Sequence, residues 1–361
     1  MFAVKPARRI VTLAAAFAVF APLVAAQAPS RQELTRALTS RFGMDDMQRA
    51  VLSAGLDSAE PLVSSASDGV AVIGGIWVAA PAAFYLEWAE SFADFDRGSS
   101  VQAVRKLSNP PRLSDFDGMT LSKAELRDLS TCRVGDCALQ LDAASINRIA
   151  ALDWRRRDAP SLATGVIREM MFGIAARYAE IGDAGLPNYH DSKRTTDVAG
   201  MCASLLDEEA SAGLAPSELL AYFAGRPGAP LPQSTSYLYW TTNSFGLKPT
   251  TRLNHTVVYR GTRNGTAGIV ATKMLYATHY FHGGLEMRHV MADPAAPGRF
   301  LLVDVTRTRS DGLTGVTGAV IGDTVRRRGL ESLRKYLRFT KYAVEQRYRL
   351  QGASGGTGGL Q

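Results

Sequence analysis

The clearest pattern in the chain is an alternation of apolar and polar residues from Thr251 to Arg260. One face of this stretch carries Leu253, His255, Val257 and Tyr259. A period of two is typical of a β-strand with one buried face. Comparable runs predict four further strands, at Tyr237–Thr242, Ile269–Phe281, Leu285–Met291 and Phe300–Thr306, with a break at Gly283-Gly284. The short turns between these runs predict an antiparallel meander.

A long basic helix is predicted after the strands. Its apolar positions recur at helical spacing and are Leu330, Leu333, Leu337, Val344 and Tyr348. Asp323 is the expected N-cap, and the roughly 28 residues that follow would span about 42 Å. Arginine and lysine cover the other side of the helix. One apolar stripe of this length indicates that the helix lies in a curved sheet.

The region before the meander divides into three parts. Residues 27–69 are interpreted as a surface-like helical segment ending in a linker at 64–69. Val70–Val78 is a predicted strand, followed by a helix that starts at Pro81 and a second strand at Val101–Leu107. Residues 110–233 form a mostly helical insertion. Its predicted elements are helices at Lys123–Leu129, Ala143–Trp154, Leu162–Ile181, Asp197–Ala212 and Pro216–Ala224 and a short strand at Ala138–Leu141.

This order of elements resembles the helix-grip fold of the START and polyketide-cyclase-like superfamily. The resemblance covers residues 70–107 and 236–350, and the insertion departs from it. It implies an α+β domain over residues 70–350, built from 70–109 and 234–350, with a curved antiparallel sheet around the C-terminal helix. Asp115-Phe116, Cys132–Cys137 and Phe245–Thr250 resemble motifs of uncharacterised exported bacterial proteins. The superfamily resemblance also implies an apolar cavity between sheet and helix.

The amino terminus has the pattern of a secretory signal peptide. Lys5, Arg8 and Arg9 precede an apolar run over residues 10–24, and small residues place cleavage after Ala26. We therefore expect a periplasmic or secreted protein. The leader holds three of the positive charges, so the net charge of +7 falls to +4 in the mature chain. The basic helix allows contact with a membrane surface, and export argues against a nucleic-acid partner. The Gly-rich residues 351–361 are expected to be a disordered tail.

Three cysteines bear on this compartment. Cys132 and Cys137 lie close enough in sequence to close a small loop, and in an oxidising compartment we expect them to form a disulfide. Cys202 lies in an apolar helical stretch and is predicted to be a buried thiol. A metal site is not expected, because no second cysteine pair exists and His279 and His282 would point to opposite faces of a strand. No cofactor motif is present.

Candidate chemistry rests on polar residues placed on apolar faces. His255 and His289 fall on the apolar faces of two predicted strands, and Asp304 shares a face with Phe300 and Leu302. If these faces line the cavity, a histidine and an aspartate could exchange a proton. The alternative is ordinary hydrogen-bonded core groups. The predicted ligand-lining set is Tyr237, Tyr239, Trp240, His255, Val257, Tyr259, Tyr276, Met287, His289, Leu333 and Leu337.

No sequence motif names a reaction. Gly-x-Ser-x-Gly is absent, and the Gly-rich stretch 312–318 lacks the lysine of a phosphate loop, so a loop at the cavity mouth is the preferred interpretation. Arg307, Arg309 and Asp311 precede it as a rim ion pair or as solvated charges. The favoured function is periplasmic binding or carriage of a lipid or other apolar small molecule. The alternatives are a cavity enzyme of cyclase or hydrolase type and an envelope interaction protein.

Overall fold

The computed structural model describes residues 31–310 and 315–355, apart from 63, 65, 67, 93–97, 99, 226–229, 245–247 and 262–265. The protein is an α+β protein with a large curved antiparallel sheet and a long C-terminal helix. Its principal strands are β1 (Ser58–Leu62), β2 (Gly69–Val78), β3 (Val101–Lys106), β6 (Ser234–Asn243), β7 (Thr250–Tyr259), β8 (Thr266–Ala277), β9 (Phe281–Ala292) and β10 (Phe300–Ser310). A separate two-stranded ribbon pairs β4 (Asn188–Tyr189) with β5 (Thr196–Asp197).

The eight principal strands form one sheet in the order β1-β2-β10-β9-β8-β7-β6-β3, with every neighbouring pair antiparallel. The meander from β6 to β10 is confirmed. The strand β9 runs through Gly283 and Gly284 without a break, because β8 and β10 pair with it on both sides. Residues 58–62, predicted as helix, instead form the edge strand β1 beside β2.

The helices within the described residues lie on both faces of the sheet. They are α1 (Arg31–Ser40), α2 (Asp46–Ser53), α3 (Ala82–Ser91), α4 (Lys123–Leu129), α5 (Ala143–Ala150), α6 (Ala159–Ile181), α7 (Val198–Ala212), α8 (Ser217–Ala224) and α9 (Gly315–Gly355). One face is covered by α3 and α9. The other is covered by α1, α2 and the insertion helices α4–α8. The result is three layers, with the sheet in the middle.

The C-terminal helix packs along β2 and β1. Leu333, Leu337 and Val344 are buried there, as the apolar stripe predicted. A Cβ atom at Gly74 would lie 2.9 Å from side-chain atoms of both Leu333 and Leu337, so glycine at this position allows helix and strand to approach closely. Asp323 is not the N-cap, because α9 begins at Gly315 and no proline interrupts residues 315–323.

The insertion is an integral layer of the protein. The helix α6 supplies Ile167, Met171 and Tyr178 to a core that also includes Trp240 and Tyr276 of the sheet. Four predicted insertion helices are present with ends shifted by a few residues at most, and α4 matches its predicted limits. The predicted strand at 138–141 is absent, since these described residues have no strand partner and instead precede α5.

Candidate functional site

The sheet face beneath α3 and α9 carries polar side chains across its central strands. Register pairing places these side chains on one face, because residues directly opposite each other in an antiparallel pair point the same way. We call them the polar floor: Thr241, Asn243, Arg252, Asn254, Thr256, Thr272, Glu286, Arg288, Asp304 and Thr306. A purely structural sheet–helix interface is mainly apolar, so this floor is the first feature of the fold that indicates a site.

The polar floor is largely buried but is partly open to solvent at Glu286. It lies at the middle of β9, between β8 and β10, yet 24% of its side chain is exposed. Its cross-strand neighbour Thr306 is also only half-buried. Solvent therefore reaches the centre of the sheet on the face that α3 and α9 cover.

Glu286 belongs to a compact group of charged and polar side chains. We call this group the Glu286 cluster: Glu286, Arg288, Asp304, Thr306 and Tyr336. Arg288 donates from Nε to Glu286 Oε1 over 2.6 Å, and the same Nε lies 3.5 Å from Asp304 Oδ2. Thr306 Oγ1 donates to Asp304 Oδ1 over 2.8 Å. The Arg288 guanidinium lies 4.6 Å from the centre of the Tyr336 ring. The arginine is thus held in one orientation by both a carboxylate and an aromatic face.

The two carboxyl groups of the cluster differ in protonation. Burial raises the pKa of Asp304 well above its usual value, and the neighbouring Glu286 carboxylate raises it further. Burial is the largest single influence on Glu286 and acts against its ionised form, but the Arg288 guanidinium, a hydrogen bond with Asp304 and the Arg252 charge together lower its pKa. Asp304 therefore holds a proton at a pH where Glu286 is ionised. Carboxyl pairs with pKa values pushed apart in this way can assign one group as acid and the other as base.

Replacing Asp304 by asparagine is expected to stabilise the protein more at pH 7 than at pH 4. The folded state holds a proton on Asp304 that the unfolded state releases above pH 3.8, so this carboxyl costs stability as the pH rises towards its folded pKa. Asparagine keeps the shape without the titration. Thermal unfolding of both proteins at the two pH values measures the effect, and an equal shift at both would contradict the assigned proton.

The opposite end of the floor presents nitrogen donors. Arg252 Nη2 donates to Asn243 Oδ1 over 3.0 Å, and the Arg252 charge is among the influences that lower the pKa of Glu286. Asn254 is 2% exposed, and its Nδ2 has no hydrogen-bond partner among the described residues. A buried amide donor without a partner costs free energy, which a ligand acceptor at this position would recover.

The predicted lining residues divide between the two faces of the sheet. Tyr237, Tyr239, Leu333 and Leu337 lie on the side of α3 and α9, and Tyr237 donates its hydroxyl hydrogen to the Ala89 carbonyl over 3.0 Å. The remaining predicted residues lie against the insertion and α1. They are Trp240, His255, Val257, Tyr259, Tyr276, Met287 and His289. His255 and His289 therefore lie on the side of the sheet opposite the C-terminal helix.

His255 is enclosed by the insertion. Its Nδ1 lies 2.8 Å from the Tyr178 hydroxyl, and its ring packs against the rings of Tyr178, Tyr222 and Phe223. Burial, reinforced by the positive charge of Lys273, lowers the pKa of His255 to about 3. This imidazole is neutral at pH 7, and so weak a base is poorly matched to general-base catalysis there.

His289 is buried in the second core on the same side. It packs edge-on to Phe42 with ring centres 5.0 Å apart, and neither ring nitrogen has a hydrogen-bond partner among the described residues. Burial lowers its pKa to about 3. The sheet separates both histidines from Asp304, so the hypothesised His–Asp proton transfer has no geometric basis.

Lys273 was missed by the sequence reasoning. It lies in the middle of β8 with its side chain 1% exposed, and its Nζ donates to Asp183 Oδ1 over 2.6 Å and to the Phe223 carbonyl over 2.5 Å. The signal was available: a single lysine interrupts the apolar run 269–281. Its buried partner comes from the segment after α6, which no local pattern could have identified.

Two arginines at the end of β10 form ion pairs with the insertion layer. Arg307 Nε donates to Glu209 over 3.1 Å, and Arg309 Nη2 donates to Glu208 over 2.7 Å. Both arginines are buried, and both carboxylates come from α7. The charges interpreted from sequence as a rim therefore belong to an internal interface, while Asp311 lies outside the described residues.

The predicted disulfide between Cys132 and Cys137 is confirmed. Beside it, His279 Nε2 lies 3.1 Å from Glu125 Oε1 and Nδ1 lies 3.1 Å from the Ala138 carbonyl. Both ring nitrogens are therefore engaged by the insertion. Cys202 is fully buried, and burial raises the pKa of its thiol to about 12, so it is not a nucleophile.

Within the described residues no group of three or more histidine, cysteine, aspartate or glutamate side chains is arranged to hold a metal ion. The same residues contain no helix with the length and apolar character needed to span a bilayer. The predicted signal peptide and residues 312–314 of the predicted loop lie outside the described residues, whereas 315–318 form the start of α9.

The chain is therefore an α+β protein whose antiparallel sheet carries charged side chains on the face covered by α3 and α9. Comparison with protein-family models gave no match. Comparison with curated proteins gave no significant match.

Proposed function

We propose that the protein binds an amphipathic small molecule in the crevice between the sheet and helices α3 and α9. The order of elements supports a helix-grip architecture, in which ligands lie between the sheet and the C-terminal helix. The observation that carries the proposal is the partly exposed side chain of Glu286 at the centre of a covered sheet. A buried ionic group that remains accessible through a crevice is a typical polar anchor of a ligand pocket.

The lining favours a ligand with two kinds of surface. The Glu286 cluster and the Arg252–Asn254 end offer charges and hydrogen bonds, whereas the rings of Tyr237 and Tyr239 on the same face offer apolar contact. An apolar molecule alone would leave the floor without polar partners, which costs free energy. The ligand class expected from the sequence, a lipid or similar molecule, is therefore narrowed to one with a polar head. We propose that the protein binds or carries this molecule in the periplasm.

The test is native mass spectrometry of the purified full chain, followed by solvent extraction and titration with a fluorescent NBD-labelled phospholipid. Glu286→Gln is expected to lower probe affinity about tenfold or more, since a hydrogen bond to a charged group contributes roughly 1.5–3 kcal/mol. Glu60→Gln on the exposed side of edge strand β1 is the matched control and should bind like wild type. Protein that neither carries nor takes up any small molecule would refute the proposal, as would equal effects of both variants.

The pKa of Asp304 is raised and that of Glu286 is lowered, which favours one alternative function. This is a cavity enzyme with Asp304 as proton donor and Glu286 as proton acceptor. The two functions differ in what Asp304→Asn does. A binding protein should retain its ligand in this variant, because asparagine still donates a hydrogen bond. An enzyme should bind the ligand but no longer convert it, which mass spectrometry of the ligand after incubation would reveal.

A further inference from the structure

The outer side of α9 concentrates positive charge over a short distance. Between residues 326 and 335 the helix carries five basic residues and one acidic residue: Arg326, Arg327, Arg328, Arg334, Lys335 and Glu331. All six side chains are exposed. Arg328 and Lys335 lie opposite the buried Leu333 and Leu337 and so face away from the sheet. Arg326, Arg327 and Arg334 lie nearer the edge strand β1, where Arg334 Nη2 donates to the Ala59 carbonyl over 2.9 Å.

A groove accompanies these charges where α9 crosses β1. It has a volume of about 530 Å³ and is lined by Pro61, Leu330, Arg326, Arg327, Glu331 and Arg334. Apolar atoms of Pro61 and Leu330 lie beside three guanidinium groups. Guanidinium groups recognise phosphate oxygens through paired hydrogen bonds, and the apolar side chains suit the first carbons of an acyl chain. The groove therefore has the chemistry of a phospholipid head-group contact.

The side of the helix that faces away from the sheet, next to the groove, carries interfacial side chains. Arg328, Lys335, Tyr342 and Arg349 recur at seven-residue intervals and so share one side over about 32 Å of helix. Tyr342 is 63% exposed, and Leu350 near the end of this stretch is 66% exposed. Basic residues interleaved with exposed aromatic and aliphatic residues are typical of helices that lie on an anionic bilayer surface.

We propose that the outer side of α9 docks on an anionic phospholipid surface. The rigid helix presents a nearly straight line of positive charge, and the apolar stripe that holds it to the sheet stays buried, so docking needs no rearrangement of the core. Each lysine or arginine near such a surface contributes a modest attraction, and several together give reversible, salt-sensitive binding. This docking is independent of whether the crevice on the other side of α9 holds a ligand.

The experiment is co-sedimentation of the full chain with phosphatidylcholine vesicles that contain or lack phosphatidylglycerol, at low and high salt. Reversal of charge in Arg327→Glu/Arg328→Glu/Lys335→Glu should weaken binding to the anionic vesicles by roughly 100-fold or more. The control Lys123→Glu/Arg127→Glu/Arg155→Glu makes the same change of net charge on exposed insertion residues across the sheet. It should reduce binding no more than threefold, and circular dichroism establishes that both variants are folded.

Wild-type binding that requires phosphatidylglycerol, falls at high salt and is lost only in the α9 variant supports the proposal. Three results would overturn it: no binding of wild type to anionic vesicles, equal binding to vesicles without phosphatidylglycerol, or equal losses in the two triple variants. The last result would mean attraction by net charge without a docking face. Inorganic phosphate and chloride are compared as competitors at the same ionic strength. If phosphate abolishes vesicle binding and chloride does not, the groove binds free phosphate, and docking on a membrane surface is refuted.

Discussion

Replacing Lys273 by methionine is expected to lower the free energy of unfolding by about 3–5 kcal/mol. The substitution leaves Asp183 and the Phe223 carbonyl buried without the ammonium to which both are bonded. Burial already raises the pKa of Asp183 even with the lysine present, so the uncompensated carboxylate would be strongly disfavoured. Urea unfolding followed by circular dichroism measures the change.

Lys248→Met provides a matched comparison. Lys248 Nζ lies 2.6 Å from Asp128, the same distance as in the Lys273–Asp183 pair, but the Lys248 and Asp128 side chains are 42% and 31% exposed. An exposed pair contributes at most about 1 kcal/mol. If the two methionine variants lost similar stability, burial would not be the reason that the Lys273 pair matters, and the insertion would not depend on it for docking.

Acidification is expected to destabilise the protein through His255 and His289. Each has a folded pKa of about 3, whereas an unfolded histidine titrates near pH 6.5. Below pH 6.5 the unfolded chain takes up protons that the folded protein does not. The contribution of these histidines to the free energy of unfolding is therefore fully present above pH 6.5 and is lost as the pH falls towards 3. The loss approaches about 1.4 kcal/mol per pH unit for each histidine.

His289→Leu isolates one of these contributions. Between pH 6.5 and 4.5 the variant should lose about 2 kcal/mol less than wild type. At pH 7.5 it should unfold at a similar or higher denaturant concentration, because neither nitrogen of His289 has a hydrogen-bond partner among the described residues. Met287→Leu, on the same face of β9, changes no titrating group and should shift stability equally at all three pH values. An unchanged pH dependence in His289→Leu would contradict the buried neutral imidazole.

Local pattern was sufficient for most elements of this protein. The alternation in β7 and β9, the stripe on α9 and the capping box at Ser122 each reflect hydrogen bonds or burial within a few residues. The cysteine spacing likewise identified the disulfide. Local pattern was wrong for β1, whose structure depends on pairing with β2, and for the strand predicted at 138–141, which these described residues do not form. It was also wrong for the break at Gly283-Gly284, where β9 continues, and for the N-cap at Asp323, since α9 begins at Gly315.

Local sequence pattern did not predict the polar floor. A strand with one apolar and one polar face was interpreted as having one buried and one solvated face. In β9 the face with Glu286 and Arg288 lies beneath the helices, while the apolar face with Met287 and His289 lies beneath the insertion. Both faces are covered because the insertion folds back as a third layer.

The sequence by itself determined the meander, the long helix and the disulfide loop, because each depends on residues that are neighbours along the chain. Only the tertiary structure decided which face of the sheet meets α9, and hence that charged side chains lie beneath the helices. Periodicity tells that two faces differ but not what covers each of them. Here that is settled by contacts between residues far apart in sequence, such as Lys273 with Asp183 and Arg307 with Glu209.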